Sequence, residues 1–217
     1  MNVKRTSKAA VLVFGFMALV AVAAAPASAA SSPFNVEAQR MRISVGSTNF
    51  DTPGSTPATC IGSTAIAGTI DDTTGTINGS INISSSDFAA PFTSGRYRLT
   101  ATGTSGTGTY NAGTGTFSGL SFSTITFTIK SINTSTCAVG STVCSGTASL
   151  TASGGLVTGS TVPLSTGEQV YVNGTGSIST TSGCGFPWGL VVSPGASLTI
   201  GKNPATPADA GAIFQQL

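Results

Sequence analysis

The sequence predicts an all-β protein: an antiparallel β-sandwich or a closed β-barrel of about 8–11 short strands, after a cleaved N-terminal signal helix. Three observations predict it. Apolar and polar residues alternate with period two between Phe34 and Gly201, and no amphipathic helix interrupts them. Clusters of Gly, Asn and Asp break the alternation at even spacing. Charged residues make up only 7% of the chain, and Val, Ile, Thr and Ser take their place.

The strands follow in order. Residues Phe34 to Val45 read as the first and Thr64 to Ile70 as the second, the latter stopped by a turn at Asp71-Asp72-Thr73-Thr74-Gly75. Ile77, Gly79, Ile81 and Ile83 alternate on one face, as do Tyr97, Leu99 and Ala101. Thr107 to Phe117 reads as a hairpin turning at Asn111-Ala112-Gly113. The run from Gly119 to Ile132 changes parity midway. Leu120 and Phe122 share one face while Ile125, Phe127 and Ile129 share the other, which predicts a β-bulge near Ser123 and Thr124. Further strands are expected at Thr147–Thr151, Gln169–Val172, Gly176–Ser179, Leu190–Val192 and Leu198–Ile200, with a tight turn at Asn173-Gly174.

The domain plan is a secretory signal peptide over 1–29, one all-β domain over 30–202, and a C-terminal tail or short helix over 203–217. Lys4, Arg5 and Lys8 precede an apolar run from Ala9 to Ala25, and Ala27-Ser28-Ala29 supplies the small-x-small cleavage signal. The competing reading is a retained anchor, but the run falls short of the roughly 20 apolar residues that cross a bilayer. The chain is therefore expected outside the cytoplasm, secreted or in the cell envelope, with no stable membrane span after cleavage.

Removing the leader alters the charge argument. Nine basic residues stand against seven acidic ones in the whole chain, and three of the nine lie in the leader. The remainder is almost neutral and holds no basic patch for a nucleic acid. The four cysteines, Cys60, Cys137, Cys144 and Cys184, read as two disulfides in an oxidising compartment. The short loop between Cys137 and Cys144 favours that pair, with Cys60–Cys184 as the second. No Cys-x-x-Cys pair and no histidine support a structural metal site, and no cofactor is expected.

The missing histidine also removes the usual neutral-pH general base and every triad built on it. A two-carboxylate hydrolase needs no histidine. Its candidates are Glu37 and Glu168, because Asp71 and Asp72 are adjacent in a turn and serve better as turn formers or a weak calcium contact. The expectation is nevertheless a non-enzyme.

Candidate binding features are few. Arg40 and Arg42 share a face of one strand and Arg96 and Arg98 a face of another, so pairing of those strands would gather four guanidinium groups for a carboxylate or phosphate. Phe186 and Trp188 would stack on a sugar if exposed, or plug the end of the fold beside a disulfide if buried. Thr-x-Thr pairs recur, but without the fixed period of an ice-binding solenoid. Asn78, Asn82, Asn133 and Asn173 head glycosylation sequons.

The leading expectation is a non-enzymatic envelope or extracellular β-domain with a structural or adhesive surface role. A β-barrel carrier for a hydrophobic small molecule or lipid comes second, and an envelope pore third. The pore needs strands of about 9–11 residues, and most strands read from the sequence are shorter. The partners in view are an envelope glycan or a hydrophobic ligand.

Overall fold

The computed structural model describes residues 30–46, 48–52, 64–89, 96–133, 135–157, 167–201 and 212–216. The expected leader lies outside these residues, as does Cys60. Ten strands pair antiparallel in one sheet that closes into a ring. They are β1 (Ser31–Val45), β2 (Thr48–Thr52), β3 (Thr64–Asp71), β4 (Thr76–Ala89), β5 (Arg96–Asn111), β6 (Thr116–Asn133), β7 (Ala138–Leu156), β8 (Gln169–Ser182), β9 (Ser197–Ile200) and β10 (Ala212–Gln216). Of the two architectures expected, the closed barrel is the one observed. The strands are not short: β5, β6 and β7 run for 16, 18 and 19 residues. Glycines and hydroxyl residues that read as punctuation lie inside the ladder instead.

Closure depends on two split strands. β9 pairs with the end of β1 at Ile43↔Ile200, and β10 continues along β1 from Met41↔Ala212. Between them the Gly201 N–H donates to the Arg42 carbonyl at 3.0 Å. On the other side the same two strands follow β8, with Gly174↔Ile200 and Tyr171↔Ile213. Residues 202–211 separate the halves in sequence; β10 keeps one register along β8 but slips against β1 between Ala38 and Arg40. β2 and β3 divide the opposite edge of β1 in the same way, β2 taking Met41–Val45 and β3 taking Ser31–Glu37. Ten strands thus fill eight positions around the ring, a count whose interior side chains can fill.

The C-terminal residues, expected as a tail or short helix, therefore form the strand that closes the barrel. Ala212 and Phe214 are fully buried, and the Gln216 side chain accepts from the Asn35 N–H at 3.0 Å. A short terminal stretch with little helical or strand periodicity of its own did not reveal a slot created by β1 and β8.

The core lies inside the ring. Ile77, Ile81 and Ile83 on β4, Phe122, Phe127 and Ile129 on β6, and Leu150 on β7 all point inward. The parity change in β6 is the predicted bulge: register with β7 slips between Phe122↔Leu150 and Ile125↔Ala148. β5 slips against β4 at the same level, where Ser105 takes φ 60°. Register between β5 and β6 runs unbroken across the slip, from Gly103↔Ile125 to Thr107↔Ser121. The two strands bend as a unit, which helps the sheet curve enough to close.

Two expected features differ. Asn173-Gly174 is not a turn; both residues lie within β8, opposite Ser153 and Ala152. A Cβ at Gly174 would sit 2.9 Å from Leu150 Cδ1, so the end of that side chain would have to shift. Leu190–Val192 is not a strand either. It begins at the last residue of a short 3-10 helix, Trp188–Leu190, in the segment linking β8 to β9.

Small residues inside the ring make room for large ones. A Cβ on Gly106 would overlap the ring of Phe122, which is 1% exposed. Gly106→Ala is expected to cost about 1–3 kcal/mol by overpacking, read as a lower urea midpoint. Phe122→Leu in the same chain should recover part of that loss; strictly additive losses would sink the assigned contact.

Candidate functional site

The barrel interior offers little space. Two wholly apolar cavities measure about 40 and 70 Å3, the larger bounded by Ile43, Ile81, Phe127, Leu150 and Val192 among others. Candidate sites are therefore the two mouths and the outer wall.

One mouth is plugged by the segment between β8 and β9. Trp188, Val191 and Val192 turn inward and are buried, and the Trp188 ring meets Tyr97 edge-on at 4.9 Å between centroids. Val192 reaches the larger cavity, so the segment fills the mouth from within. Cys184, at its start, is bonded to Cys144 on β7, with the Cα atoms 4.2 Å apart. This corrects the expected Cys137–Cys144 and Cys60–Cys184 pairs. Cys137 is disulfide-bonded as well, but not to Cys144. The short Cys137–Cys144 loop made that pair attractive, but Cys144 turns into the core, where the plug arrives.

The same turn leaves two apolar side chains outside. Phe186 is 77% and Leu190 69% exposed, whereas Trp188 between them is 1% exposed. The two halves of the aromatic reading thus divide: Trp188 is a plug and Phe186 is a surface group. Val139, at the start of β7, is the other exposed large hydrophobic among the described residues and lies at the same end.

The four arginines do not assemble through strand pairing. β1 and β5 are not neighbours, because β3 and β4 stand between them. Arg40 lies opposite Ile213, Arg42 opposite Asp51, Arg96 opposite Ala89, and Arg98 between Asp87 and Lys130. Residue spacing placed each pair on one face but held no information about which strands adjoin. Arg96, Arg98 and Lys130 share the plugged end of the barrel.

The opposite mouth is acidic. Asp71, Asp72, Thr73, Thr74, Tyr110 and Asn111 help line an open polar groove of about 640 Å3 between the β3–β4 and β5–β6 turns. Asp71 Oδ1 accepts from the backbone N–H groups of Thr73 and Thr74 at 2.9 and 2.7 Å. Hydrogen bonds from Thr74 hold its pKa below the usual 3.8. It acts as a turn former. Tyr110 lies between this groove and the smaller apolar cavity, and its hydroxyl is buried without a hydrogen-bond partner. Burial, with a smaller push from the charge of Glu168, raises its pKa above the ordinary 10.0. Glu37 is on β1, with β10 between it and β8, and Glu168 precedes β8. Glu168 is the carboxylate whose charge reaches Tyr110.

The outer wall carries an arrangement that sequence spacing concealed. Asn78, Thr107, Ser121, Thr151, Thr175, Thr199 and Ser44 are successive cross-strand partners, forming a belt across seven strands. A second row joins Asn82, Thr102, Thr126, Thr147 and Thr180. Neighbouring hydroxyls bond directly, Ser121 to Thr151 at 3.2 Å and Thr147 to Thr180 at 2.8 Å. Irregular gaps along the chain become regular rows because register between strands sets the alignment. Of the sequon asparagines, Asn78, Asn82 and Asn133 are exposed, whereas both side-chain polar atoms of Asn173 are buried without a partner.

Fold and site define a closed antiparallel β-barrel with a filled interior, a plugged mouth and a hydroxyl-covered wall. No protein-family model, curated protein or solved structure matches the chain.

Two predictions follow from these sites. Peptide mapping without reduction is expected to link Cys144 to Cys184 across their 40-residue separation, with Cys60 and Cys137 left for the second bridge. Cys184→Ser should cost about 4 kcal/mol in the chain-entropy account. Tyr110→Phe removes an unsatisfied hydroxyl and is expected to raise stability by about 1 kcal/mol. In the wild type the raised phenol pKa keeps its contribution intact up to the ordinary value of 10.0 and loses it as pH climbs towards the folded value. Ultraviolet titration should show a late phenolate that the variant lacks.

Proposed function

We propose that this chain is an extracytoplasmic, non-enzymatic β-barrel of the cell envelope or extracellular space, working through its outside in a structural or adhesive role. The observation that carries this reading is the distribution of polarity. Apolar side chains fill the inside, leaving cavities of about 40 and 70 Å3, while rows of Thr, Ser and Asn cover the wall. Ligand pockets run from about 300 to 1,000 Å3, so the interior favours no carrier of a lipid or drug-sized molecule.

The same distribution opposes a pore. The strands are long enough to cross a bilayer, which removes the objection from length, but a membrane barrel faces apolar side chains outward and polar ones inward. Here the order is reversed. The open groove at the acidic mouth is large enough for a ligand, but its turn residues satisfy one another locally.

The leader and the disulfides support export. Among the described residues no helix is long and apolar enough to cross a membrane. A catalytic reading has little to stand on, because the chain has no histidine to serve as a general base at neutral pH.

The secreted protein is expected to appear as a bare chain in native mass spectrometry and to be retained by envelope material from the cell that makes it. A co-purified apolar molecule would turn the reading towards the carrier. Ion conductance across a planar bilayer would turn it towards the pore.

A further inference from the structure

We propose that the plugged end of the barrel is a docking surface for an anionic lipid surface, with Phe186 and Leu190 entering the interface and Arg96, Arg98 and Lys130 meeting the lipid phosphates. This rests on the reading of a barrel that acts through its outside, and names its partner.

The argument begins with the plug. The sequence Phe186-Pro187-Trp188-Gly189-Leu190-Val191-Val192 is almost wholly apolar, yet the mouth has room for only part of it. Trp188, Val191 and Val192 fill that room, and the short 3-10 turn points Leu190 away from it. Phe186 and Leu190 are left 77% and 69% exposed at the plugged mouth. The disulfide at Cys184 and the Trp188–Tyr97 contact hold the chain on either side of Phe186, and buried Val191 and Val192 follow Leu190, so the two side chains are presented from a fixed base.

Charge selects the partner. Tyr97, which touches Trp188, stands between Arg96 and Arg98 in β5, and Arg98 is paired across the ladder with Lys130. Basic residues therefore lie at the same end of the barrel as the apolar tip. Asp87 stands opposite Arg98 in the ladder, so the register gathers three basic residues and one acidic one at this end. Asp71, Asp72 and Glu168 occupy the far end. The barrel is nearly neutral as a whole but polarised along its axis. An anionic surface attracts the tip and repels the opposite mouth, so approach is oriented. Apolar side chains beside basic ones are what a peripheral contact with anionic lipid requires.

The test uses the full secreted chain and sedimented vesicles of phosphatidylcholine alone or with phosphatidylglycerol. Retention is expected on the anionic vesicles and should weaken as salt rises. Phe186→Ser with Leu190→Ser is expected to lower retention at least about tenfold, because each side chain loses its transfer into the interface. Arg98→Gln should lower binding to anionic vesicles and flatten its salt dependence. Circular dichroism and unchanged thermal midpoints check that the variants fold. Equal retention on both vesicle types overturns the charge argument. Envelope retention that survives the double substitution overturns the tip as contact while leaving the proposed function standing. Binding to insoluble envelope polysaccharide with none to vesicles overturns the lipid partner. Loss of retention on both envelope and vesicles by the wild type overturns both proposals.

Discussion

The structure depends on the closure of the sheet at β1. An open sheet leaves two rows of unpaired N–H and C=O groups, and proteins usually guard such edges with charge or proline. This chain has little charge to spend on that task, with 7% of its residues ionisable as Asp, Glu, Lys or Arg. Joining the edges removes the need. β9 and β10 enter the gap between β1 and β8 and satisfy both sides at once. Each half of the split closing strand pairs with both neighbours, with one irregularity where β10 meets Ala38 and Arg40 of β1.

Closure then dictates the inside. A ring of eight positions has a small cross-section, so large and small side chains must alternate within it. Gly103 and Gly106 on β5 face Phe122 on β6, and Gly174 on β8 faces Leu150 on β7. The paired bulges in β5 and β6 keep both strands' apolar residues inward while the wall curves. The open mouth that remains is filled from within the chain. Trp188, Val191 and Val192 act as that filling, and the Cys144–Cys184 bond fastens it to the wall.

Outside, the same register that builds the barrel aligns its hydroxyls. The belts of Thr and Ser give the wall solubility without net charge, and their cross-strand bonds add order to it. Against this uniform wall the two ends stand apart. One is acidic and grooved, the other apolar and basic. Function, on the reading proposed above, is a property of the ends and the wall, not of the interior.

The amino-acid sequence by itself determined the all-β class, most strand positions, the Asp71 turn and the bulge near Ser123 and Thr124. These are local: alternation, turn chemistry and parity depend on residues within a few positions of one another. Only the tertiary structure decided the rest. Cys144 bonds Cys184 because the plug ends beside β7, not because of spacing along the chain. Arg40 and Arg42 stay apart from Arg96 and Arg98 because β3 and β4 intervene. Asn173-Gly174 continues the strand because both residues are paired with Ser153 and Ala152 of β7. The last residues become a strand because β1 and β8 offer a slot that exists only when the ring forms. Each of these depends on which strands become neighbours, and that choice is made by the closing of the whole sheet.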